Sequence, residues 1–201
     1  MGKGLERQRG PESKKEEYII VEIGSGASPY IDSPELSKEY IDKLKEDESI
    51  YFIATDDSGG SLGTGRNWFR LNDEMREREL EKTGRVHFVL ASGHQLPFRD
   101  NSVAEVIFRN VLGDPEARKP LEMMREAERV LKVGGVLKVI EMYTPHIARQ
   151  NMDFLSRARS LERLPDAEKT GFVDETAIDE AMTRERAAAF VARFRKKELA
   201  S

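Results

Sequence analysis

The 201-residue chain contains no cysteine, so disulfides, thiolate metal sites and thiol nucleophiles are excluded. It has three histidines, His87, His94 and His146, too scattered to suggest a zinc site, and no metal is expected. No apolar run approaches the ~18 residues of a membrane span, and the opening MGKGLERQRG lacks the apolar stretch of a signal peptide. The expectation is a cytoplasmic protein with no membrane partner. There is also no excess of positive charge: 33 Lys+Arg stand against 37 Asp+Glu, a net charge of −4, which argues against nucleic acid as a partner. What is abundant is charge of both signs, 35% of residues, carried on mixed-sign helices and tails. The length suits one domain with a sizeable core.

Residues 1–17 are polar and broken by Gly10-Pro11, the pattern of a disordered leader. From Tyr18 short apolar runs alternate with helical stripes. Tyr18–Ile23 reads as a strand buried on both faces, and Ile50–Ala54, Val86–Leu90, Val103–Phe108 and Val136–Ile140 read as further strands. Ser33-Pro34 starts a helix whose stripe is Leu36, Tyr40 and Leu44. A thinner helix, with Met75 and Leu80, follows Asn72 or Asp73 and ends at Thr83-Gly84. A third starts at Pro120, carries Leu121, Met124, Ala127 and Leu131 on one face, and stops at Gly134-Gly135. Beyond Pro145 the pattern is helical only, with Ile147, Phe154 or Leu155, Ala158 and Leu161 on one stripe. A last helix is capped by Thr183 and carries Ala187, Val191 and Phe194. Alternating strands and helices imply an α/β fold, a Rossmann-like parallel sheet with helices on both faces and ligands at its carboxyl edge. Residues 18–145 form its core, and 146–201 a helical segment packed on the same domain.

Residues with chemistry follow the strands. Glycines in Glu22-Ile23-Gly24-Ser25-Gly26 let backbone N–H groups approach a ligand, and Glu22 can accept from a cationic or amine-bearing group; a tight strand-to-helix turn needs the same glycines. Pro29 stands where a nicotinamide fingerprint wants its third glycine, and no Gly-Lys-Ser/Thr of a P-loop follows. Asp56-Asp57 can accept from both hydroxyls of a ribose, or cap a turn. Gly59 to Phe69 carries four glycines plus Trp68 and Phe69, the composition of a lid or of a loop anchored by aromatics. His94 lies in a candidate ligand loop, His87 within a strand. His146 after Tyr143-Thr144-Pro145 could serve as a base, although Pro-His before a helix is ordinary capping context. The basic residues from Arg184 to Lys197 read as a solvated helix face.

One stretch is more specific. Ala91-Ser92-Gly93-His94-Gln95-Leu96-Pro97-Phe98-Arg99-Asp100-Asn101-Ser102 precedes a strand and Arg109-Asn110-Val111-Leu112, and Arg125 to Gly135 reads REAERVLKVGG. With the Glu22–Gly26 segment in the same order, residues 18–142 resemble the class I S-adenosylmethionine-dependent methyltransferases, in the large group that acts on small molecules. The resemblance implies S-adenosylmethionine as cofactor and a small-molecule acceptor. Position by position, Glu22, Gly24, Ser25 and Gly26 would hold the methionine part and the near side of the ribose. Asp56, with Asp57 as neighbour, would take the ribose hydroxyls; Ser92, Gly93 and His94 would flank the adenine. Arg109, Asn110 and Val111 would line the methionine and open towards the acceptor. No catalytic residue follows from it, with Tyr143 and His146 the candidates for a base.

The chain departs from the family in four places. Ser92 and His94 stand where acidic residues are usual, the first helix signal comes only at Ser33-Pro34, and the spacing from Gly26 to Asp56 is long. After residue 145 only Thr170–Val173 hints at a strand, so the terminal antiparallel pair of the family is expected to be missing. The sheet would then be truncated, or its edge covered by a second copy or a partner protein. That motivates an alternative, a non-catalytic methyltransferase-like subunit that binds a partner. Another kind of nucleotide-binding α/β protein fits the motif order less well.

Overall fold

The computed structural model describes residues 15–26, 34–61, 63, 83–109, 111–112, 119–141, 160–164 and 190–198. Among them one seven-stranded sheet forms, with strands β1 (Tyr18–Ile23), β2 (Ile50–Asp56), β3 (Val86–Leu90), β4 (Val103–Arg109), β5 (Leu131–Glu141), β6 (Leu161–Arg163) and β7 (Phe190–Lys196). Their order is β3-β2-β1-β4-β5-β7-β6. The first five run parallel, and β7 pairs antiparallel with both β5 and β6. The order reverses between β1 and β4, and in open parallel sheets the crevice at that reversal is where ligands bind.

Two helices are described, α1 (Pro34–Glu46) and α2 (Pro120–Val130). Tyr40, Ile41 and Leu44 of α1 are buried against Ile20, Phe52, Ala54, Ile107 and Ile140 on one face of the sheet. Met123, Met124, Ala127 and Val130 of α2 cover Val21, Ile23, Val106, Phe108, Leu137 and Val139 on the other. Strands with apolar residues on both faces are what such a two-sided cover requires.

Four expectations are corrected. The terminal antiparallel strands are present: β7 pairs Phe194 with Leu137 and Arg193 with Lys138, so it covers the edge of β5 and no second chain is needed there. Residues 146–201 are therefore not a purely helical segment. Ala187, Val191 and Phe194 fit a helical stripe, but the alternation of buried Phe194 with Arg193 and exposed Arg195 also fits a strand. Pairing with β5 decides between them, because an open edge beside a central strand leaves backbone donors and acceptors unpaired.

Second, Gly134-Gly135 does not end a helix. α2 stops at Val130, β5 already begins at Leu131, and the glycines lie inside it. Gly134 is left-handed (φ +81), and a Cβ on Gly135 would meet Lys132 O at 2.8 Å and Ala104 O at 3.0 Å. The register between β4 and β5 shifts at this place, between Val103 and Glu105, so the pair marks an irregularity in the ladder. Third, Leu121 is exposed, and the buried face of α2 is built from Met123, Met124, Ala127 and Val130. Fourth, Leu161 belongs to a strand.

Residues 1–14 of the leader read over 1–17, residues 72–82 of the helix expected to end at Thr83-Gly84, Trp68, Phe69, Asn110, Tyr143, His146, the 147–158 part of the helical stripe and Thr170–Val173 lie outside the described residues. Of the glycine-rich stretch, residues 59–61 and 63 are helical rather than loop.

Candidate active site

The carboxyl ends of the four strands around the reversal meet at one edge. After β1 the chain turns through Gly24 (φ +67) and Gly26 (φ +60), both left-handed, a conformation only glycine adopts without strain. Gly24 also has no room for a side chain: a Cβ would lie 2.6 Å from Cγ2 of Val111, itself buried just beyond β4. The turn is tied sideways to β2. Ser25 N–H donates to Thr55 O at 2.9 Å, and Thr55 Oγ1 donates to Glu22 O at 2.8 Å.

Asp56 closes the same turn. Its Oδ2 accepts Gly26 N–H at 2.8 Å, and its Oδ1 accepts Ser58 N–H at 2.8 Å. Of its two readings the structure shows the turn cap, at the turn that leads to the helical residues 59–61, and the same aspartate also holds the glycine loop. Ser61 N–H donates to Ser58 Oγ at 3.3 Å, as at a helix N-cap. Asp57 is exposed, unlike the half-buried Asp56.

After β3, Ala91 N–H donates to Asp56 O at 2.9 Å, and a turn follows in which Gln95 N–H donates to Ser92 O at 3.0 Å. Ser92 Oγ accepts His94 N–H at 3.3 Å and lies 3.1 Å from His94 Nδ1. One hydroxyl thus ties both the backbone and the ring of His94 into the turn. Gly93 is buried where a Cβ would meet Met123 Cε at 2.6 Å and Ile23 Cγ2 at 2.7 Å.

At the end of β4, Arg109 Nε donates to Glu22 Oε1 at 3.2 Å. Glu22 is fully buried and the Arg109 side chain is 13% exposed, so the pair removes a net charge from the floor of the edge. Ser25 Oγ is the one buried side-chain oxygen or nitrogen that lacks a hydrogen-bond partner among the described residues. Unsatisfied buried hydroxyls are rare.

The structure thus brings together Glu22, Gly24, Ser25, Gly26, Asp56, Ser92, Gly93, His94, Arg109 and Val111. Thr55 and Met123 were missed by sequence reasoning. Thr55 sits inside a strand beside Asp56, and Met123 reads as an ordinary core residue; neither carries a signal of its own. A cavity of about 390 Å³, lined in part by Asn101, Ser160 and Lys196, lies at the other end of the sheet and has no part in this site. Among the described residues no group of three or more acidic or histidine side chains could hold a metal ion, and no helix is long and apolar enough to cross a membrane.

Residues 67–139 match the family model described as a methyltransferase domain. No curated protein matches the chain in sequence. A methyltransferase dependent on S-adenosylmethionine from Aquifex aeolicus has a similar fold, with a TM-score of 0.53 and 16% identity over 75% of this chain and 76% of that one. So does the complex between the Haloferax volcanii methyltransferase activator Trm112 and the chain described as its methyltransferase, with a TM-score of 0.57 and 18% identity over 94% and 86%. The [4+2]-cyclase SpnF is a third, with a TM-score of 0.56 and 19% identity over 92% and 77%. The matched segment is thus a methyltransferase domain, and the seven-stranded sheet has the fold of these solved structures.

Proposed function

We propose that the chain binds S-adenosylmethionine at this edge and transfers its methyl group to a small-molecule acceptor. The observation that carries the reading is the joined pair of turns after β1 and β2, with the unpartnered Ser25 hydroxyl buried between them. The residues fit the ligand's chemistry. Asp56 uses one lone pair of each oxygen on backbone N–H groups, which leaves capacity on both oxygens for ribose hydroxyls. Glu22 and Arg109 form an anion–cation pair that matches the ammonium and carboxylate of an amino-acid end. Gly24 and Gly26 admit close approach of the backbone, and Ser25 supplies a donor to the same region. Ser92, Gly93 and His94 would flank the base, and Arg109, Asn110 and Val111 would line the methionine and open towards the acceptor. Asp57 would support Asp56 from the rim.

The bound cofactor supplies a methyl group already activated on a sulfonium. The work left to the chain is alignment of nucleophile, methyl and sulfur, worth up to about 7–11 kcal/mol. On this reading residues 18–145 form the cofactor-binding core, and β6 and β7, drawn from 146–201, complete its sheet.

The alternative, a partner-binding subunit without activity, has lost its first ground because β7 covers the edge of β5. Calorimetric titration with S-adenosylmethionine and S-adenosylhomocysteine decides between the two. Micromolar binding that Asp56→Ala abolishes is expected. A folded chain that binds neither ligand would reject the cofactor site and favour the subunit.

A further inference from the structure

We propose that Glu126 and Arg129 of α2 are positioning residues, a clamp that holds the 92–95 turn in place and thereby sets part of the affinity for the cofactor. The inference rests on the cofactor reading above. It concerns residues that line no part of the site.

The clamp is bidentate within the helix. Arg129 donates from Nε to Glu126 Oε2 at 2.8 Å and from Nη2 to Glu126 Oε1 at 2.6 Å. The same guanidinium reaches into the loop before β4: Nη1 donates to Phe98 O at 2.9 Å and Asp100 Oδ1 at 2.6 Å, and Nη2 to Leu96 O at 3.2 Å. Glu126 Oε1 in turn accepts Leu96 N–H at 2.8 Å. Leu96 is therefore held through both its N–H and its carbonyl, with its side chain buried. The end of the helix continues the attachment, since Arg129 O and Val130 O accept from Asn101 N–H and Ser102 N–H at 3.0 and 2.8 Å. Hydrogen bonding to Arg129 holds the Glu126 carboxyl below the usual carboxylate range.

Leu96 directly follows the 92–95 turn, and on the other side Ala91 is fixed to Asp56 O. With both ends fixed, the four residues between them have little freedom, and Gly93 is pressed against Met123, one helical turn before Glu126. Releasing Leu96 frees that end of the turn, and a ligand must then order the residues as it binds.

The test uses the full chain and S-adenosylhomocysteine. Arg129→Met and Glu126→Gln are compared with Lys196→Met, which strips the carbonyls of Glu128 and Leu131 at the same helix end and reaches the loop only at the Asn101 side chain, beyond residues 92–96. The clamp variants are expected to weaken binding about tenfold or more and to speed amide exchange at residues 92–96. Arg129→Lys should restore little, because an ammonium cannot make the fork. Lys196→Met should lower the melting temperature yet keep both the affinity and the exchange. If Arg129→Met does not fold, Glu126→Gln is decided on the same two readouts. Clamp variants that bind as tightly as the wild type, with unchanged exchange at 92–96, would overturn the proposal alone. A wild-type chain that binds neither ligand would overturn the cofactor reading and the proposal with it.

Discussion

Tyr40, in the middle of α1, donates its hydroxyl hydrogen to Oε1 of Glu105 on β4, across 65 residues of sequence. Lys138 Nζ on β5 donates to the same hydroxyl at 3.2 Å and lies 5.0 Å from the ring centroid. All three side chains are buried, so the phenol joins an acid and a base on neighbouring strands that no water reaches. Tyr40→Phe keeps the ring packed against Phe52 and removes only this bridge. The variant is expected to lose about 1–3 kcal/mol, the usual result of leaving buried polar groups without their partner. Urea unfolding at pH 7 measures it, and a change below about 0.5 kcal/mol would mean the bridge has no net value.

The same cluster gives a pH dependence of unusual sign. Burial raises the pKa of Glu105, with Tyr40, Lys43 and Lys138 opposing the shift and Glu39 adding to it. A carboxyl whose pKa is higher in the folded state takes up its proton there first. Its contribution to stability is therefore unfavourable at neutral pH and improves as pH falls through the raised value. Glu126 behaves in the ordinary way, since its lowered pKa contributes stability that is lost as pH falls. The expected result is that wild type gains on Glu105→Gln as unfolding is measured from pH 7 down towards pH 5. A difference that stays constant, or moves the other way, would show that Glu105 is not held in the protonation equilibrium its burial implies.

Much of this arrangement is legible in the sequence, and what is not has physical causes. Tyr18–Ile23 and Val86–Leu90 are read with the bounds they have, because both are apolar runs ended by turns, although only β1 is buried and β3, last in the strand order, leaves Leu90 exposed. The glycines at 24 and 26, and the aspartate that ends β2, are legible because turns need those residue types. β7 is not legible, since one buried phenylalanine among arginines satisfies both periods and only the vacant edge of β5 resolves the choice. Gly134-Gly135 misleads because the residue that ends a helix and the residue that bends a strand are both glycine. The Tyr40–Glu105 contact has no local signal at all; it exists only once α1 is laid over the sheet.

The glycines of the site make a graded prediction. Gly24 and Gly26 are both left-handed, and an alanine in that conformation costs about 1–2 kcal/mol. At Gly26 no atom of the described residues lies within 4 Å of an added Cβ, so the conformational cost is the expected effect on stability. At Gly24 the Cβ would also collide with Val111 at 2.6 Å, and overpacking a buried contact adds about 1–3 kcal/mol. Gly93 has no left-handed penalty, but its Cβ would meet Met123 Cε and Ile23 Cγ2. The methionine methyl can swing aside; the isoleucine, buried in β1, cannot, so the turn itself must lift. The expected order of destabilisation in urea is therefore Gly24→Ala above Gly26→Ala. Gly93→Ala should weaken S-adenosylhomocysteine binding, through the lifted turn, by more than its loss of stability suggests. Equal effects of alanine at 24 and 26 would show that Val111 gives way freely and that its contact with the glycine turn does not shape the site.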